Sequence, residues 1–215
     1  MKNKLALALA TVALVSLIVA GGTLAYFQKS SDIYDNKINV ANGIEGDLVD
    51  EFNENQVLIP GGSVNKKVGI KVTGVLPAYG RIHVKMFWTN KNSSTPLSLG
   101  TGNKDLKVSN DWLKADTSDG KIDNTKWTLA NTEENSAYIE YIYNRIGAIS
   151  PNNDQNAEGE ILFTKVDLKP GQDFGNQYAN KTLHVVVSGD LIQATGNNEE
   201  TAWDGFTSAP SAPKA

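Results

Sequence analysis

Residues 81–88 read Arg-Ile-His-Val-Lys-Met-Phe-Trp, and this stretch determines the fold class. Ile82, Val84, Met86 and Trp88 occupy every second position, which is typical of a strand with one face against a core. Three other segments follow the same period of two, namely residues 67–72, 139–143 and 183–187. Because helical periodicity is scarce after residue 26, the sequence predicts an all-β protein.

Turn signals separate these segments. Pro60-Gly61-Gly62 and Lys169-Pro170-Gly171 each place a residue with φ fixed at about −65° before one that tolerates positive φ. The spacing of strand and turn signals predicts about seven to nine strands. We therefore expect an antiparallel jelly roll or β-sandwich.

The alternation stops between residues 89 and 135. This stretch of 47 residues is rich in Asn, Ser, Thr, Asp and Lys. Its scattered apolar positions are Leu106, Val108, Trp112, Leu113, Ile122, Trp127 and Leu129. A second domain of this size without Cys or metal would need a denser core. We therefore predict a long polar insertion within one domain, residues 41–206, followed by a flexible tail at residues 207–215.

The N-terminus has the layout of a secretory signal peptide. Lys2 and Lys4 precede an apolar run from residue 5 to residue 20, and small residues follow it. As a helix this run spans about 24 Å, less than the roughly 30 Å hydrocarbon core of a membrane. Thr23 and Ala25 supply the small side chains needed before a cut, so we predict removal of residues 1–25 and a mature chain starting at Tyr26. An uncleaved membrane anchor is the alternative.

Composition limits the function classes. The chain has 215 residues and a formal net charge of −4, which becomes −6 when the two lysines of residues 1–25 are removed. Without a concentrated basic surface, nucleic acid is not an expected partner. Cysteine is absent, which excludes disulfides, thiol catalysis and Cys-ligated metals. Export without cysteine favours a Gram-positive surface.

Residues for catalysis or metal binding are few. The two histidines, His83 and His184, both lie in predicted strands, and no third ligand for a catalytic zinc accompanies them. Residues 116–123 are similar to a calcium loop, but aligning Gly120 with the turn glycine puts Ala115 and Lys126 at ligand positions, so an EF-hand does not fit. An irregular calcium site there and Lys–Asn isopeptide crosslinks stay open. We predict no catalytic residues, no metal and no cofactor.

Three stretches together resemble the TasA family of exported biofilm matrix fibre proteins, which includes camelysin. Residues 21–27 (Gly-Gly-Thr-Leu-Ala-Tyr-Phe) resemble the family's signal junction, which a dedicated signal peptidase of the SipW type cuts. Residues 57–64, with the segments 67–72 and 77–82 after them, resemble the Pro-Gly turn between two early strands. Residues 168–171, 176–178 and 183–194 resemble the last strands. Trp203 near the end is similar to the clostridial, BsaA-like branch.

The resemblance implies a secreted jelly-roll subunit that polymerises head to tail into extracellular matrix fibres. In such fibres the freed N-terminus enters the next subunit as a donor strand. Here the donor segment is residues 26–40, whose strand-forming residues are Tyr26, Phe27, Ile33, Tyr34, Ile38 and Val40. The implied partners are other copies of the chain, the signal peptidase and other matrix components.

Three alternatives stay open. In the first alternative, residues 26–40 form an ordinary first strand of their own domain. In the second the chain is a minor subunit that caps or anchors fibres. The third is a camelysin-like cell-surface metalloprotease, which the ligand count above does not support. The polar residues 28–32 leave the register of a donor strand open.

Overall fold

The computed structural model describes residues 29–30, 44–52, 62–100, 105–154, 157–168 and 176–204. Within these ranges the regular elements are strands and two short 3₁₀ helices, Asn110–Trp112 and Asn176–Tyr178. The strands are β1 (Lys29–Ser30), β2 (Gly46–Phe52), β3 (Ser63–Val72), β4 (Ala78–Asn90), β5 (Leu113–Lys114), β6 (Trp127–Glu134), β7 (Ile139–Arg145), β8 (Glu160–Asp167) and β9 (Lys181–Gln193). Among the described residues, no helical segment has the length and hydropathy of a membrane span.

Two antiparallel sheets form the fold, which confirms the all-β prediction. The first sheet has the order β1-β9-β4-β7-β6, and the second has the order β2-β3-β8-β5. The predicted alternating segments lie in β3, β4, β7 and β9. These strands occupy inner positions in the sheets and each needs an apolar face, which is why their alternation was recognisable in the sequence.

The core lies between the sheets. Ile82, Val84, Met86 and Trp88 of β4 all face it, as the alternation predicts. Val187 and Leu191 of β9 join them from the neighbouring strand. Val68, Ile70 and Val72 of β3, with Leu162 and Phe163 of β8, supply the opposite wall from the second sheet.

The interval 89–135 differs from the predicted insertion in one respect, because parts of it belong to both sheets. It contains the end of β4, all of β5 and β6, which pairs with β7 along the first sheet. Seven of the eight residues of β6 are exposed, so this edge strand carries no apolar alternation. The predicted anchors Leu106, Val108, Trp112, Leu113 and Trp127 are buried in the common core, Ile122 packs against that core, and Leu129 is exposed.

Several predicted features lie outside the described residues. These are the signal residues Thr23 and Ala25, the donor positions Tyr26, Phe27, Ile33, Tyr34, Ile38 and Val40, the turn residues 60–61 and 169–171, and the tail 207–215. Within the predicted donor segment, the structure describes Lys29 and Ser30 as β1.

Candidate functional site

The outer side of β9 is the most distinctive edge of the described structure. On its inner side β9 pairs with β4 along all of Lys181–Gln193. On its outer side β1 pairs only with β9 residues Asp190 and Leu191. Among the described strands, none pairs with the rest of this side. We call residues Val185–Gly189, next to β1, the open edge.

The open edge is apolar and backed by the core. Its sequence, Val-Val-Val-Ser-Gly, contains no charged residue. Val187 is buried in the core, and Val185 packs against it. Behind Gly189, a Cβ would contact Leu48 of β2 at 3.2 Å, so this part of β9 lies directly against the second sheet. A long apolar edge of this kind is ready to pair with another strand.

The other described edges are protected in ways that oppose strand pairing. β6 carries a bulge between Leu129 and Asn131 and ends in two glutamates. β5 has only two residues. β2 carries Asp47, Asp50 and Glu51 along its length. Bulges, shortness and charge are the usual protections of sheet edges, so the open edge of β9 is the exception among the described strands.

A buried ionic network lies on the outer face of the same sheet. His83 of β4 is 5% exposed and lies between two carboxylates. Its Nδ1 is 3.0 Å from Glu140 Oε1 of β7, and its Nε2 is 3.1 Å from Asp190 Oδ2 of β9. Lys85 Nζ is 3.2 Å from the second oxygen of Glu140. Each of the two His83 contacts joins diagonal neighbours on adjacent strands, so together they link β7, β4 and β9.

The network favours the charged form of His83. Burial alone lowers the pKa of His83, but the hydrogen bonds and charges of Asp190 and Glu140 outweigh it and raise the pKa from 6.5 to about 8. Burial likewise raises the pKa of Glu140, yet His83 and Lys85 hold that pKa below its ordinary value. His83 is therefore an imidazolium at neutral pH.

Aromatic rings flank this network. The Trp203 ring lies 4.0 Å from the Arg81 guanidinium carbon, and the Tyr138 ring lies 4.5 Å from Lys85 Nζ. Cation–π contacts of this kind stabilise cations as they lose water. His184 stacks on Phe87 with ring centroids 4.7 Å apart. Burial lowers the pKa of His184, so its ring is neutral at neutral pH.

The two histidines do not meet at a common metal position. His83 lies opposite Ser188 in β9, and His184 lies opposite Phe87 in β4, so four residues of strand, about 13 Å, separate them. The carboxylates around His83 contact opposite sides of its ring, so they do not converge on one ion. In the part of the chain that the structure describes, no group of three His, Asp or Glu side chains is arranged to hold a metal.

Each carboxylate of the calcium-like loop already accepts a hydrogen bond, and that of Asp116 comes from Thr164 Oγ1 of β8 at 3.1 Å. Asp119 accepts hydrogen bonds from Thr117 Oγ1 at 3.0 Å and from the Lys121 amide at 2.9 Å. Asp123 accepts two from Thr125. These bonds lower the pKa of both carboxyls, and each serves a separate turn. For the isopeptide possibility, Lys181 contacts Asn90, but this pair is exposed instead of enclosed beside a carboxylate.

Comparison with known proteins gives no relative: no family model, curated protein or solved structure matches the chain.

The open edge and the ionic network were not predicted from the sequence. The sequence does carry one indication of the ionic network, which is a charged residue within an apolar strand. Asp190 comes after Val-Val-Val-Ser-Gly, and Glu140 lies among Ile139, Tyr141 and Ile142. Pairing either residue with His83 requires the register of β7 and β9 against β4.

Proposed function

We propose that this protein is a secreted structural subunit that polymerises head to tail, with the N-terminal segment of one copy pairing with the open edge of the next. The single observation that carries the proposal is the outer side of β9. It is apolar and backed by core residues, and among the described residues only Lys29 and Ser30 of β1 pair with it. An incoming strand supplies main-chain hydrogen bonds there and removes an aggregation-prone edge.

The register of β1 suggests how a donor strand lies. Lys29 pairs with Leu191 and Ser30 with Asp190. In a docked donor strand that keeps this antiparallel register along the open edge, Ile33 would lie opposite Val187 and Tyr34 opposite Val186. The next pair is Asp35 with Val185, which ends the apolar match. We therefore propose residues 29–34 as the docked part of the donor segment.

The chain is long enough for the segment to pair with either its own β9 or that of a neighbour. Thirteen residues separate Ser30 from Ile44, where the described domain resumes. Extended, they span up to about 43 Å. The described β1 occupies the edge of its own chain, and in a fibre we propose that the same segment of a neighbouring copy takes that place. Such exchange is heterologous, so it continues into an open filament.

The jelly-roll fold implied by the TasA resemblance is part of this proposal. In a jelly roll the first strand lies beside the last, and successive strands alternate between two sheets. The order β1-β9-β4-β7 and the neighbours β3-β8-β5 are consistent with that arrangement. β6, which pairs with β7, and the additional β2 are departures from it. In this scheme the donor takes the place of the first jelly-roll strand.

The other functions are less well supported. A capping or anchoring subunit uses the same edge and differs only in whether further copies add after it has docked. A metalloprotease needs ligands that converge on one ion, whereas both His83 nitrogens already contact carboxylates. We therefore propose that the chain is cut by a dedicated signal peptidase during export and has a non-enzymatic role at the cell surface or in the extracellular matrix.

The test is assembly of the secreted chain, observed by negative-stain microscopy and sedimentation. Intact protein is expected to form filaments that persist on dilution, because several buried side chains contribute about 1.5 to 3 kcal/mol each. Deleting residues 26–37 removes β1 and should leave a folded monomer, whose melting temperature rises when a peptide of residues 26–40 is added. Deleting the tail, residues 207–215, is the control and should leave filaments intact. Filaments from the 26–37 deletion would refute the proposal.

A further inference from the structure

One residue joins the ionic network to the site where β1 pairs. Asp190 of β9 is 2% exposed, and its carboxylate lies 3.1 Å from His83 Nε2. In the register of β9, Asp190 is also the partner of Ser30 in β1. The position that receives β1 is therefore held by an ion pair to the central strand β4.

The groups around His83 come from every strand packed against it. On β4 itself, Arg81 and Lys85 lie one alternate position away on the same face. β7 contributes Glu140, and β6 places the exposed Glu133 opposite it. β9 contributes Asp190, while the direct neighbours of His83 across the sheet, Ile142 and Ser188, carry no charge.

We propose that His83, Glu140 and Asp190 form a proton-dependent clamp that holds β9 against β4 and so controls whether the edge beside Asp190 can retain a paired strand. This inference rests on the proposed function for its effect on assembly. Its effect on the stability of the chain does not depend on polymerisation.

The hydrogen-bond capacity of imidazole explains the proton dependence. The imidazolium has two N–H donors, one for each carboxylate. A neutral ring has only one donor, so its unprotonated nitrogen faces a buried carboxylate at about the distances found here, 3.0 to 3.1 Å. Leaving a buried carboxylate without its donor is strongly unfavourable. Loss of the proton therefore loosens the contact of β4 with either β7 or β9.

The direction of the pH effect follows from the raised pKa. His83 has a pKa of about 8 in the folded chain, against 6.5 without its partners. Its stabilisation is complete below about pH 6.5 and is lost as pH rises through about 8. A pKa that is higher by about 1.5 in the folded chain corresponds to about a thirty-fold change in the folding equilibrium between low and high pH.

The experiment uses the secreted chain and three variants between pH 6 and 9.5, with melting temperature and the sedimented filament fraction as readouts. His83→Gln removes the titrating group. His184→Gln is the matched control, because His184 lies on the same face but burial lowers its pKa, away from the fall expected near pH 8. His83→Gln with Asp190→Asn removes one charge of each sign and keeps the variant foldable if the single substitution unfolds the chain.

The expected result is a fall in both readouts through about pH 8 for the unchanged chain and for His184→Gln, and flat profiles for the variants at His83. A His83 imidazole that titrates at or below pH 6.5 by NMR overturns the clamp. So does an unchanged fall in the double variant. Filaments with a pH profile independent of His83 refute the clamp but retain the proposed function. A His83-dependent melting profile without filaments at any pH retains the clamp and refutes the proposed function.

Discussion

Trp127 donates a hydrogen bond from its indole Nε1 to the main-chain carbonyl of Ile161, 2.9 Å away, and so links the start of β6 in one sheet to β8 in the other. Trp127 is 2% exposed, although the seven residues after it in β6 are exposed. A single side chain therefore anchors this edge strand to the interior. The link also explains why a mostly polar strand keeps a defined place in the fold.

Trp127→Phe is expected to lower the free energy of unfolding by about 2 to 4 kcal/mol. The carbonyl of Ile161 loses its donor at a cost of about 1 to 3 kcal/mol, and the smaller ring leaves a void. Urea unfolding measures the change. Leu129→Ala, in the same strand but 42% exposed, is the control and should change it by less than about 0.5 kcal/mol. Equal effects of the two substitutions would contradict the anchoring role.

Substitutions at two glycines distinguish the cost of a positive φ from the cost of steric crowding. Gly159 and Gly147 have φ values of +74° and +77°. A Cβ at Gly159 would lie 2.8 Å from the carbonyl oxygen of Ile70, whereas at Gly147 it would meet nothing within 4 Å. Gly147→Ala should cost about 1 kcal/mol through its backbone alone. Gly159→Ala should cost at least about 1 kcal/mol more, and equal costs in thermal unfolding would argue against close packing at Gly159.

A charge on the open edge should block assembly without unfolding the chain. Val186 lies opposite Lys85 of β4, so a glutamate at position 186 has a cation beside it in the folded monomer. Val186→Glu is expected to keep a near-normal melting temperature and to reduce the sedimented filament fraction at least about ten-fold. Leu129→Glu on the edge strand β6 is the matched control and should assemble normally. Loss of filaments in the control, or their retention in Val186→Glu, would place the interface elsewhere.

His184 should affect stability in the direction opposite to His83. Burial lowers its pKa below 6.5, so its contribution is present above pH 6.5 and is lost as pH falls through the lower folded value. The difference in melting temperature between the unchanged chain and His184→Gln should therefore shrink below pH 6.5. A difference that grows toward acid pH would mean that the stacked ring is charged.

Processing at residue 25 is expected to precede assembly. Thr23 and Ala25 supply the small side chains before the predicted cut, so Ala25→Trp should leave precursor with the membrane and no filaments outside the cell. N-terminal sequencing of released protein should begin at Tyr26. A released chain that starts well before or after this position would show that the signal boundary lies elsewhere.

The sequence was sufficient for four of the five inner strands, β3, β4, β7 and β9, but not for the inner strand β8 or for the edge strands. Alternation identified β4 because one whole face of that strand is apolar and faces the core. β6 was not predicted as a strand because only Trp127 of its eight residues is buried. His83 contacts residues 57 and 107 positions away, and only the register of three strands brings them together. The donor segment is a hypothesis from resemblance, and only Lys29 and Ser30 of it are described.

The open edge has a consequence for the shape of an assembly. In the proposed fibre, one donor segment and one receptive edge give each copy a valence of two, so growth is linear and cannot branch through these contacts. The two ends of such a chain are chemically unlike, one presenting a strand and the other an edge. A copy that lacks residues 26–37 can bind only at the end that presents a strand, so at low molar ratios it should act as a one-sided terminator of growth.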